Sequence, residues 1–249
     1  MDLSLTQWIL LLLAAWCVGA AKAGFAGVGL IPVFVMAEIF GKSSVGILLP
    51  MLVVADISVF HGYRKFGSWK PVWTLLPPAL VGIALGVLIL KDLPEQWARP
   101  VIGVLILFMV LLLVFRRMDA EKFSRLAHSV GFGQAAGVLA GVATMLANAA
   151  GPVFQLYFIS REIPKMELIG IGARFFLLVN ILKLPLTGGL GYTDAESLFL
   201  NLKLIPLILV GVWSGKKLLQ MVSQRVFEWM VIGVAVVAGV RLLASAWTG

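Results

Sequence analysis

Apolar stretches separated by short polar loops occupy most of the chain, over 4–22, 24–37, 44–61, 71–90, 100–115, 129–147, 151–160, 167–186, 199–215 and 226–246. A bilayer core about 30 Å thick takes roughly 20 helical residues per crossing, so most of these stretches predict membrane-spanning helices. Two, 24–37 and 151–160, are too short to cross. Each follows a full-length stretch and opens on small residues and proline: Gly24-Phe25-Ala26-Gly27-Val28-Gly29-Leu30-Ile31-Pro32, and Asn148-Ala149-Ala150-Gly151-Pro152. They predict broken or re-entrant helices, with a continuous proline-kinked helix as the alternative. The pattern is that of an all-α integral membrane protein with about eight transmembrane helices.

The chain also matches itself. Pro32-Val33-Phe34 pairs with Pro152-Val153-Phe154, Ala55-Asp56-Ile57 with Val179-Asn180-Ile181, and Ile102-Gly103-Val104 with Ile232-Gly233-Val234. Pro77, Gly82 and Gly86 similarly pair with Pro206, Gly211 and Gly215. The offset grows slowly, as in a duplication with small loop insertions, and predicts a first repeat over 1–117, a cytoplasmic connector over 118–128 and a second repeat over 129–249. Four crossings per half would leave the halves parallel; five would invert them. In a four-plus-four arrangement Arg64, Lys65, Lys70, Arg116, Arg117, Lys122 and Arg125 share a cytoplasmic side. Lys216, Lys217 and Arg225 fall opposite, against the positive-inside tendency.

Composition narrows the function classes. At 61% hydrophobic and 13% charged, with a mean hydropathy of +1.02, the 249 residues leave no room for a soluble catalytic domain. The net charge of +8 belongs largely to loops between apolar runs, which favours membrane topology over nucleic-acid binding. One cysteine, Cys17, and two histidines, His61 and His128, give no thiolate or histidine metal site, and no enzyme motif is present, so neither a cofactor nor catalysis is expected. Ala21-Lys22-Ala23 resembles a signal cleavage site, but Met1 to Trp8 lacks the basic start that a signal peptide carries, and Pro32 draws the first apolar run into the repeat.

Ionisable side chains inside apolar spans are costly and tend to face a cavity or a partner. Lys22, Asp56, Arg174 and Lys183 are such residues. Three are basic, which favours an anionic substrate near the midplane. Arg174 is expected to be the principal fixed charge, because its planar fork suits an oxyanion edge and keeps its proton. Pairing of Arg174 with Glu162 or Glu167 is the competing reading, and snorkelling to an interface competes for Lys22 and Lys183. Asn148, Gln155 and Asn180 offer amide donors to an anion, or serve as interhelical glue. Helix starts near Gly29 and Gly151 would aim free backbone N–H groups at the same anion. Asp56 is the candidate proton carrier, with an ion pair to Lys22 as the alternative.

The Gly-rich segment 24–32, Ala55-Asp56 followed by the aromatic and basic loop His61 to Trp69, the Gly82-xxx-Gly86 element, and in the second half Asn148 to Pro152 and Asn180-Ile181-Leu182-Lys183-Leu184-Pro185 together resemble the sulfite exporter TauE/SafE family, also called the toluene sulfonate uptake permease family. The resemblance spans essentially the whole chain. It implies a secondary transporter of the cell (inner) membrane, moving small sulfur oxyanions or organosulfonates such as sulfite or sulfoacetate with the proton motive force. Its partners would be a small sulfur-containing anion, protons and membrane lipid, with a homo-oligomer open. A passive anion channel and a membrane assembly factor are the alternatives.

Overall fold

A computed structural model describes residues 3–24, 26–118, 129–159, 163–221 and 224–247, and the described residues are helices joined by short turns. In chain order the helices are α1 (Leu5–Lys22), α2 (Leu30–Phe40), α3 (Ser44–Tyr63), α4 (Lys70–Asp92), α5 (Glu95–Met118), α6 (Val130–Ala147), α7 (Gly151–Ile159), α8 (Lys165–Gly189), α9 (Ala195–Met221) and α10 (Gln224–Ala244). By length and composition six segments among the described residues are long and apolar enough to cross a membrane, where about eight were expected, and Gly131–Ala147 and Ile232–Ala244 are shorter apolar helices. Residues 119–128 of the connector lie outside the described residues. The outward faces of α4 and α9 expose Trp73, Val81 and Leu88, and Phe199, Leu202 and Trp213. Contiguous apolar faces of this kind are stable against lipid and not against water.

Helix pairs meet through glycine. Gly19 of α1 sits against Ile208 and Gly211 of α9, and Gly82 of α4 against Val138 and Gly141 of α6, so closely that a Cβ on any of these glycines would overlap the facing backbone. Lipid chains are as apolar as leucine, so helices associate in a membrane by close van der Waals contact, which bare glycine backbones allow. The contacts also fix direction. Pro78, Gly82 and Gly86 meet Gly137, Gly141 and Met145 in order, so α4 and α6 run the same way; α1 and α9 do likewise, with Lys203 near Trp8 and Gly215 against Ala20.

α3 and α8 run in opposite directions at the centre. The turn after α3 rests on Gly170 near the start of α8, and the turn after α8 rests on Gly46 near the start of α3. Gly67 and Gly191 close these two turns with φ of 72° and 77°, left-handed values that favour glycine. Pro50 cannot donate to the Gly46 carbonyl; the Thr193 hydroxyl does so instead, at 3.2 Å. Thus a gap in the helix ladder becomes an interhelical anchor.

Asn201 of α9 bonds the Ile47 carbonyl near one end of α3, while Lys216 lies over Tyr63 at the other, so α3 and α9 are parallel. α1 therefore also runs parallel to α3. The intervening α2, about 16 Å long, carries the chain back between them. This extra traverse changes the expected loop arrangement: Lys216 and Lys217 lie at the same end as Arg64 and Lys65, and not opposite them as a four-plus-four arrangement requires. At the other end Lys42 bonds the Leu93 carbonyl and Arg241 pairs with Glu38. There the Ser197 backbone N–H and hydroxyl hold the Asp194 carboxyl below the usual carboxylate range, as the cap of α9.

Candidate functional site

Two interruptions create the site. α1 stops at Lys22, and Gly24, with φ of 129°, leads into a 3-10 turn over Ala26–Gly29 before α2 starts. α6 stops at Asn148, whose left-handed backbone (φ 54°, ψ 28°) is one asparagine tolerates, and the Ala149 N–H closes the end back onto Ala143 at 3.2 Å. Pro152 then occupies the first turn of α7, where no donor is needed. The Ala26–Gly29 turn packs against α7, so the two broken segments meet. Gly29 and Gly151 lie at the starts of α2 and α7.

Between these breaks, at the crossing of α3 and α8, lies a buried polar cluster. Lys22 Nζ is 2.7 Å from Asp56 Oδ1, and the Asn180 amide donates to Asp56 Oδ2 at 2.7 Å. One turn along α8, Lys183 Nζ donates to the Thr144 carbonyl at 2.5 Å, to its hydroxyl at 3.1 Å and to Asn148 Oδ1 at 2.6 Å. Asn148 in turn donates to the Val45 carbonyl at 2.8 Å. Two carbonyl oxygens and one hydroxyl thus surround the Lys183 nitrogen, which donates to them. Asp56 and Lys183 are fully buried, Asn180 is 1% exposed, and the Lys22 side chain is 15% exposed. Lys22 also lies 4.3 Å from the centre of the Phe176 ring, beside the packed rings of Phe154, Phe158 and Phe175.

Five of the expected site residues, Lys22, Asp56, Asn148, Asn180 and Lys183, therefore converge. Gln155 is half-buried on α7 without a polar partner among the described residues. Arg174 stands apart. Its guanidinium donates to the carbonyls of Phe66 at 2.8 Å, Gly170 at 2.7 Å and Arg64 at 2.7 Å, and lies near the rings of Phe60 and Trp69. Glu162 lies outside the described residues. Arg174 so clasps the end of α3 to α8. Arg174→Lys is expected to lower stability by about 2 kcal/mol through loss of fork contacts, while anion affinity stays unchanged. Thermal melts with and without ligand check this, and a selective loss of ligand response would make Arg174 a ligand after all.

Thr144 and Phe176 join the cluster without standing out in the sequence. The one sign for Thr144 is its place four residues before Asn148, on one face of α6. Phe176 carried no comparable sign among so many apolar neighbours.

A multi-pass helical membrane protein with a buried, cationic cluster at the meeting point of broken helices belongs, by class, with the transport proteins. The profile described as "Sulfite exporter TauE/SafE" matches residues 11–242. The chain belongs to that family, which implies transport of a sulfur-containing anion. Comparison with the curated proteins and with solved structures gave no match.

Proposed function

We propose that the protein is a proton-coupled secondary transporter that moves a small sulfur oxyanion or organosulfonate across the cytoplasmic membrane by alternating access. The observation that carries this is the convergence of Lys22, Lys183, Asn148 and Asn180 on one buried site around a single carboxylate, Asp56. Two lysines against one carboxylate leave one excess positive charge, and the amides can donate without adding more. Asp56 is the proton carrier in this reading, and the Gly29 and Gly151 helix starts flank the anion.

The two halves are inverted repeats, each crossing five times if the short helices are counted. The reciprocal contacts support this: α1 with α9 mirrors α6 with α4, and Gly46, Gly67 and Asp56 mirror Gly170, Gly191 and Asn180 at a constant spacing of 124. An axis exchanging the antiparallel α3 and α8 lies in the membrane plane, and rocking one half against the other then exposes the cluster to each side in turn. In this arrangement the basic loops gather at one end, which the positive-inside tendency makes cytoplasmic.

Purified protein reconstituted into vesicles tests the proposal. Sulfonate or sulfite uptake should saturate with concentration and accelerate with an imposed proton gradient. Unsaturable flux indifferent to that gradient would instead define an anion channel.

A further inference from the structure

The Asn180 amide is used on one side only. Its Nδ2 donates to Asp56, while its Oδ1 is buried and has no hydrogen-bond partner. Leaving an acceptor unpaired in a dry site carries a cost, so the observed arrangement is one of two that this amide can take. When Asp56 is ionised it can only accept, and the amide must present its nitrogen. A protonated Asp56 has a hydrogen to give, and an amide turned over about its terminal torsion presents Oδ1 to receive it. The NH2 group then occupies the buried position where Oδ1 now has no partner, and an oxygen of a bound anion is an acceptor it can take there.

The charges change in step. Lys22 from α1 and Lys183 from α8 are the charged groups close to Asp56. The other helices against α3 present Asn201 and Lys216 from α9 toward its two ends, Glu38 from α2 toward the end near Arg241, and neutral Thr144 from α6. With both lysines protonated and Asp56 ionised, the cluster holds two positive charges and one negative charge. With it protonated, Lys22 loses its counter-ion and two positive charges stand unopposed. We propose that the site takes a doubly charged oxyanion together with one proton, which comes from solvent and rests on Asp56, and that Asn180 turns over to read that proton and donate to the anion. This rests on the transport reading above and assigns its substrate charge and the order of its coupling.

The test is thermal stabilisation of the full chain in detergent by a charge series that shares a sulfonate: zwitterionic taurine, singly charged methanesulfonate and doubly charged sulfoacetate, with sulfate as a compact divalent control. Between about pH 6 and 8 the charges on these probes are fixed, so any pH slope belongs to the protein. The divalent anions should bind best, and their affinity should rise about tenfold for each unit the pH falls, as uptake of one proton requires. Asp56→Asn should bind them without a pH slope. Asn180→Ala should keep the slope with affinity reduced about tenfold, because the carboxyl remains while the donor is lost. Divalent binding without a slope in the unmodified protein, a slope that survives Asp56→Asn, or a preference for methanesulfonate overturns the inference and leaves anion transport standing. Stabilisation by none of the four anions at any pH overturns both.

Discussion

Lys183→Met should sharply weaken anion-dependent stabilisation of the protein while leaving its melting temperature without anion equal or higher. The two halves of that result have separate causes. Lys183 is fully buried and held only by neutral oxygens, from Thr144 and Asn148, and replacing a desolvated polar group with an apolar side chain of similar length removes a solvation penalty. Methionine leaves Asn148 Oδ1 without its donor, which offsets part of that gain. The anion, by contrast, loses a charge-assisted contact worth about 1.5–3 kcal/mol, a fall in affinity of roughly 10- to 150-fold. Thermal melts across a ligand titration read both quantities at once. A protein that becomes unstable yet binds its anion normally once folded would make Lys183 a structural tie between α8 and the α6 break, and nothing more.

A second large effect is expected far from the cluster. Gly82→Val should prevent α4 and α6 from closing and cost about 3 kcal/mol or more, because its side chain would enter the space held by Val138 and Gly141 backbone. Gly211→Val should act alike against Trp16 and Gly19. Gly233→Ala makes the control: nothing lies within 4 Å of a Cβ at that position, so the substitution should be nearly neutral. Yield of folded protein and melting temperature in detergent distinguish the three. If Gly82→Val and Gly233→Ala behave alike, backbone contact at Gly82 does not hold these helices together.

Both predictions depend on residues the sequence brings forward for different reasons. Gly82 and Gly211 are legible as helix-packing glycines from their xxx-Gly spacing and their shared place in the duplication, though not which helix each one meets. Lys22, Asp56 and Lys183 are conspicuous because charge within an apolar run is expensive, so each needs a partner. Arg174 is conspicuous on the same ground. Its side chain emerges about two turns before Asn180 and on another face of α8, where open carbonyls of the α3 end receive it. Cost alone flags a buried charge; it does not say which partner relieves that cost.

From its sequence alone, the protein was determined to be helical and membrane-embedded, because apolar runs of bilayer length leave the backbone no other way to satisfy its hydrogen bonds. The short runs after Gly24 and Asn148 likewise marked the helix breaks, since glycine, asparagine and proline act locally on the backbone. Direction was decided only in three dimensions. Hydropathy measures how long a segment is and not which way it runs, and the return of α2 places Lys216 at the same end as Arg64. The pairing of Asp56 with both Lys22 and Asn180 was likewise tertiary, because it joins three helices whose contact depends on glycine-lined packing between distant parts of the chain.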